Sequence, residues 1–294
     1  MSARRLWFGI LRANRYFITQ NETTMINLSN SSLEVQLLDP VIDRERFGVR
    51  YCTGGYIFQV HDPKHGNLLS GPTFPDSFNW FDGQGIPDAF NLGPLMSSQT
   101  PHEALVIGIG VCEMRERVVR SFCDWAVKRD AASVEFTTRQ AYEDYTFTLT
   151  RTVSLNERTV RSHTVLHNVG KLPVPVRWFP HPFFPQTATD ELLWVNAPLR
   201  WRNANGYTQL HNGFIARTGW PWHEGMYLPL DHDATAPLVL LQRHPTLGMM
   251  TAACSYVPDF FPIWGNPITF SWEPFLERTV ASGQTLAWWI DYKF

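Results

Sequence analysis

Two short stretches of the chain hold the residue types that proton transfer needs. In Arg177-Trp-Phe-Pro-His181-Pro-Phe-Phe-Pro185, one histidine stands between two prolines that fix the backbone, with aromatic rings on either side. In Ser271-Trp-Glu273-Pro-Phe275, a carboxylate ends an aromatic strand pattern, and Pro274 stops further pairing. Imidazole is the most frequent side-chain acid or base near neutral pH. Apolar rings around an imidazole and a carboxyl lower the local dielectric and move both pKa values toward neutrality. His181 and Glu273 are therefore candidates for an acid/base couple, expected to oppose each other across a groove, about one monosaccharide apart. Sequence separation alone cannot pair them. A histidine among prolines also serves as a hydrogen-bonded structural residue, and a glutamate after a strand as an exposed edge charge.

Other chemistries find no support. Val106-Ile-Gly-Ile-Gly-Val111 lacks the third glycine and the following helix of a dinucleotide site, and reads as a tightly packed strand. Trp222-His-Glu-Gly-Met-Tyr227 puts tyrosine where a zinc-binding helix needs its second histidine. No metal and no cofactor is expected. Cys52, Cys112, Cys123 and Cys254 show no C-x-x-C spacing and lie in apolar contexts, which points to buried free thiols and a reducing, cytoplasmic setting.

The elements that must position the two groups are strands. The chain of 294 residues has Lys+Arg 25 against Asp+Glu 27, so no basic excess exists to release counterions from nucleic acid or to hold an anionic membrane. Charged residues make up 18%, while 12 Trp and 20 Phe suit a β-rich protein with an aromatic-lined groove. No apolar run approaches the ~18–20 residues of a spanning helix. The apolar core Leu6–Leu11 falls short of the ~7–15 residues of a signal h-region. Residues 1–25 read as an extension, and 26–294 as one domain without a linker. Tyr145, Phe147, Leu149 and Val153 alternate with Thr146, Thr148, Thr150 and Thr152, and turns follow at Leu155–Arg158 and Asn168–Lys171. Further strands are expected at Ser32–Leu38, Gly55–His61, Ala104–Met114, Ser133–Ala141, Thr159–Val165, Val174–Phe179, Leu238–Gln242, Gly248–Cys254, Ile268–Trp272 and Thr285–Tyr292. That cadence predicts an all-β chain folded as a single large antiparallel β-sandwich. The irregular stretch Ser70–Thr100, rich in Phe, Trp and Asp, is expected to form a wall of a sugar site.

Several of these segments, in order, resemble the galactose mutarotase-like (aldose 1-epimerase) superfamily. Leu149-Thr-Arg-Thr-Val-Ser-Leu155 through Arg161-Ser-His-Thr-Val-Leu-His-Asn168-Val-Gly-Lys-Leu-Pro173 is similar to that family's central hairpin and its Asn-x-Gly turn. His181-Pro-Phe-Phe resembles its His-x-[Tyr/Phe]-Phe, Trp272-Glu273-Pro its late x-Glu-Pro, and Ser282-Gly-Gln-Thr285 its closing turn. The resemblance implies a supersandwich fold and a cofactor-free enzyme that interconverts the anomers of a monosaccharide or sugar phosphate. Glu273 would be the general base and His181 the general acid. It also implies substrate contacts. Arg50 would stand in for the family's early Gly-x-Arg, which Gly54-Gly55-Tyr56 lacks. Trp80, Gln84 and Asp88 would come from the long loop, where the family's His-Gly pair is missing, and Trp222, His223 and Asp231 from later segments. Arg177, Arg200, Arg202, Arg217 and Arg243 are available to a phosphate. The missing arginine and histidine keep a second reading open, a non-catalytic carbohydrate-binding domain on the same fold.

Overall fold

Period-two alternation of large apolar and small polar residues governs most of the chain, and β-strands result. The structure, a computed structural model, describes residues 25–71, 83–201 and 206–294. Among these residues the strands form five antiparallel sheets, and the helical content is one 3₁₀ turn at Arg44–Arg46. No helix among them is long and apolar enough to cross a membrane. Residues 1–24 and Trp80, which carried expectations above, lie outside the described residues.

The largest sheet has ten strands. Its centre is the ladder of Ser133–Tyr142, Tyr145–Asn156, Thr159–Asn168 and the C-terminal Thr285–Lys293. Phe147, Leu149 and Val153 turn inward from the second of these strands and are fully buried. The inward position between Leu149 and Val153 is held by Arg151, a buried charge in an otherwise apolar row.

A five-stranded sheet packs against this face, in the order Phe184–Pro185, Thr269–Trp272, Phe261–Gly265, Met226–His232, Leu199–Arg200. Trp272 joins the two layers. Its ring stacks on Tyr292 of the large sheet with centroids 5.8 Å apart, and its indole N–H donates to Gln242 Oε1 at 2.6 Å. A three-stranded sheet, Leu276–Val280, Val174–Pro180 and Asp88–Ala89, lies beside it. Two four-stranded sheets complete the sandwich, one from Ile26–Ser29 to Gly66–Asn67 and one from Leu95–Met96 to Val118–Phe122. The expected all-β sandwich is what forms.

Three local expectations are corrected. Ala104–Met114 is two strands, Glu103–Val106 and Gly110–Glu113, paired as a hairpin. Gly108 makes the turn at φ +76°, where a Cβ would lie 2.4 Å from Cys52 Sγ, and Gly110 opens the second strand opposite Val106. The stretch after Ser70 is not irregular throughout, since Asp88–Ala89 and Leu95–Met96 are short strands. Phe261–Gly265 and Met226–His232 were missed because each contains a proline, which argues against a central strand. Pro229 and Pro262 sit directly opposite each other in the register.

Candidate active site

His181 stands where the chain crosses between sheets. The strand Val174–Pro180 ends beside Asp88–Ala89, and Phe184–Pro185 then joins the five-stranded sheet against Thr269 and Phe270. Between them the backbone is held on both sides. The His181 N–H donates to Pro87 O at 2.8 Å and the Phe183 N–H to Gly85 O at 2.8 Å. With Pro180 and Pro182 restricting φ, the imidazole has a fixed origin.

Glu273 follows Thr269–Trp272, and its N–H donates to Pro262 O at 2.9 Å. Alternation places Phe270 and Trp272 toward the large sheet and Ser271 and Glu273 on the opposite face. There the two groups meet. His181 Nε2 is 3.3 Å from Glu273 Oε1, and His181 Nδ1 is 3.1 Å from Ser271 Oγ. The imidazole stacks on Phe183 at 4.3 Å between centroids, with Trp264 at 5.9 Å and Tyr51 at 6.2 Å edge-on.

Both groups are nearly sealed from water, at 5% exposure for His181 and 6% for Glu273. Burial disfavours charge on either. It pushes the Glu273 carboxyl up to about 8, opposed by the positive Arg50, and it carries His181 well below its usual 6.5, a shift to which Arg50 adds. Near neutral pH the couple thus holds one exchangeable proton between a carboxyl and a neutral ring.

The fold as a whole has counterparts among solved structures. A galactose mutarotase related enzyme from Lactobacillus acidophilus superposes with a TM-score of 0.59 at 12% identity, covering 92% of this chain and 96% of its own. A galactose mutarotase-like protein from Lactobacillus casei gives 0.55 at 14% identity, with 92% and 99% covered. One from Clostridium acetobutylicum gives 0.55 at 13%, with 91% and 94% covered. The chain has the galactose mutarotase-like fold. No protein-family model and no curated protein sequence matches it.

Within this galactose mutarotase-like fold, the remaining sequence candidates fall into different places. The half-buried Arg50 acts electrostatically on both His181 and Glu273. Asp88 is buried in an ion pair with Arg151. Gln84 is fully buried, and its amide donates to Phe58 O at 2.6 Å. Trp222 is a core ring, packed on Tyr207 at 5.0 Å and donating to Thr218 O at 2.9 Å. These three polar groups are engaged inside the protein. His223 and Asp231 are exposed, and Asp231 stands opposite Arg200 near the outer edge of the five-stranded sheet. Arg177, Arg200, Arg217 and Arg243 each pair with a carboxylate, Glu277, Asp233, Asp190 and Glu191 respectively. Arg202 lies outside the described residues. No cluster of three or more His, Cys, Asp or Glu among the described residues is arranged to hold a metal ion.

The expected gap of one monosaccharide between His181 and Glu273 is also corrected, since they are within reach of each other. The rings of Phe183, Trp264 and Tyr51 pack around the imidazole and hold it against the carboxyl. Sequence reading missed Ser271, Trp264 and Tyr227. Ser271 was accessible from its place two residues before Glu273. Trp264 and Tyr227 needed the ladder, which sets Trp264 opposite both Ser271 and Tyr227. Burial and the charge of Glu273 raise the Tyr227 phenol above its usual value.

Proposed function

We propose that this protein is an aldose 1-epimerase-type enzyme that interconverts the anomers of a monosaccharide. The observation that carries the reading is the sealed His181–Glu273 contact at 3.3 Å. The ring oxygen and the C1 hydroxyl of a cyclic aldose share one carbon. An acceptor and a donor this close can therefore each reach one of those oxygens at about 2.8 Å from the same edge of the sugar. The shared proton first passes from the Glu273 carboxyl to His181 Nε2; the carboxylate so formed takes the proton from the C1 hydroxyl while the imidazolium delivers one to the ring oxygen. The C1–ring oxygen bond breaks and a C1 carbonyl forms. Rotation about C1–C2 and reclosure with reversed proton roles give the other anomer. A couple holding one proton is suited to a reaction whose acid and base must exchange roles. Arg50 favours the ionised carboxylate. Arg177, Arg200, Arg217 and Arg243 are each held by a carboxylate, so the uncharged sugar is the first substrate to test.

The test follows the optical rotation of freshly dissolved α-galactose and α-glucose with and without protein. Glu273→Gln should lower the enzymatic rate at least 100-fold, within the range general base removal gives. Anomer interconversion at the wild-type rate in that variant would refute the assignment. The exclusion of water from the contact favours a second reading, carbohydrate binding without turnover. Calorimetric binding of a sugar that the protein does not accelerate would support it.

A further inference from the structure

We infer that the buried Arg151–Asp88 ion pair positions His181 and Arg50. Arg151 projects from the middle of the strand Tyr145–Asn156, at 1% exposure, into a row otherwise filled by Phe147, Leu149 and Val153. A buried ion pair is a poor source of stability, because well-packed apolar residues of similar volume usually serve as well or better. Its retention in this row calls for a geometric purpose. The guanidinium is aimed by the neighbouring strand, donating to Thr164 Oγ1 at 2.7 Å and to Ser162 Oγ at 3.2 Å. So oriented, it pairs with Asp88 across the interior.

Asp88 belongs to a short segment whose backbone touches both sides of the candidate site. Asp88 and Ala89 pair with Pro180 and Phe179, and Pro87 O accepts the His181 N–H at 2.8 Å. Asp88 O accepts the Cys52 N–H at 2.8 Å, directly after Arg50 and Tyr51. Residues 85–88 thus form a bridge with His181–Phe183 on one side and the Arg50–Cys52 segment on the other. With only two residues paired as a strand, the bridge has little ladder of its own. The ion pair is its tie to the ten-stranded sheet. Asp88 acts through this backbone and is a positioning residue, with no contact to substrate.

The experiment separates position from stability. Asp88→Leu/Arg151→Met replaces the pair with apolar groups, and Asp88→Asn keeps its shape while removing the charge. Val153→Ala, two residues from Arg151 on the same face, is the destabilising control. Readouts are the thermal midpoint, the imidazole ¹⁵N shifts of His181 without substrate, and kcat and KM for anomerisation. The double variant is expected to melt at or above the wild-type midpoint, with altered His181 ring shifts and kcat reduced at least tenfold at near-constant KM. Asp88→Asn, which leaves the Arg151 charge buried without its carboxylate, should melt lower while altering the His181 ring shifts in the same way. Val153→Ala should melt lower with wild-type ring shifts. Either pair variant folding with wild-type His181 shifts would overturn the inference. The activity arm rests on the proposed function. The ring shifts do not, so they decide the positioning even if no sugar is turned over.

Discussion

At the scale of single residues, the couple's behaviour follows from how it shares one proton. Burial moves Glu273 up to about 8 and His181 below its usual 6.5, so the one-proton form spans the interval between. Both macroscopic steps belong to the couple and not to either residue. The pH profile of kcat/KM should be a bell with an alkaline limb near pH 8 and an acid limb below pH 6.5. A rate that still climbs above pH 9 would contradict this. Ser271 makes a second prediction. Its hydroxyl can accept from Nδ1–H or donate to bare Nδ1, so the ring keeps that bond whichever nitrogen carries the proton. Ser271→Ala leaves Nδ1 unpaired. Loss of a bond worth about 1.5 kcal/mol should lower kcat roughly tenfold. Ser271→Thr, which keeps the hydroxyl, should recover most of it, and equal losses in both variants would assign Ser271 to packing alone.

At the scale of elements, the site depends on a crossing and not on any one strand. The segment Gly85–Asp88 is the hinge of that arrangement, and Gly85 lies at φ +69°, where a Cβ would meet Ile57 O at 2.3 Å and Phe58 O at 2.5 Å. Gly85→Ala cannot be accommodated by a side-chain rotation, because the obstacles are backbone. The left-handed strain alone costs about 1–3 kcal/mol. A lower thermal midpoint and a kcat loss larger than the KM change are expected, since Phe183 hangs from Gly85 O. Wild-type kinetics in this variant would show that the segment moves without consequence for His181. The same crossing marks how far sequence could reach. His181 and Glu273 were legible because each sits at a strand end flagged by prolines and rings. The hairpin through Asn156 was legible because its periodicity is local, and so was the turn after Asn168, although that turn carries the chain into another sheet instead of closing a hairpin. Asp88 was legible as a notable acid but not as the partner of Arg151, because that contact joins two sheets. Arg151 itself is a break in the apolar alternation of its strand, and that break was the available sign. Trp264 and Tyr227 face the couple only through ladder register, which no local pattern encodes.

At the scale of the whole molecule, proton binding at the site is linked to folding. In the unfolded chain Glu273 titrates near its ordinary 4.5, whereas in the folded protein it does so at about 8. A raised folded-state pKa contributes stability that is fully present below the unfolded value and is lost as pH rises through the folded one. Between pH 4.5 and pH 8 the folded state therefore loses stability from this group, at a slope of at most about 1.4 kcal/mol per pH unit. His181 works in the other direction. Its lowered pKa contributes stability that is present above 6.5 and lost as pH falls toward the folded value. Glu273→Gln keeps the shape and removes the titration. Urea unfolding of both proteins from pH 5 to pH 10 should show the variant gaining on the wild type up to about pH 8, with the difference levelling off above it. A stability difference that stays flat across this range would mean that the carboxyl is not held in its neutral form by burial, and the one-proton couple would lose its physical basis.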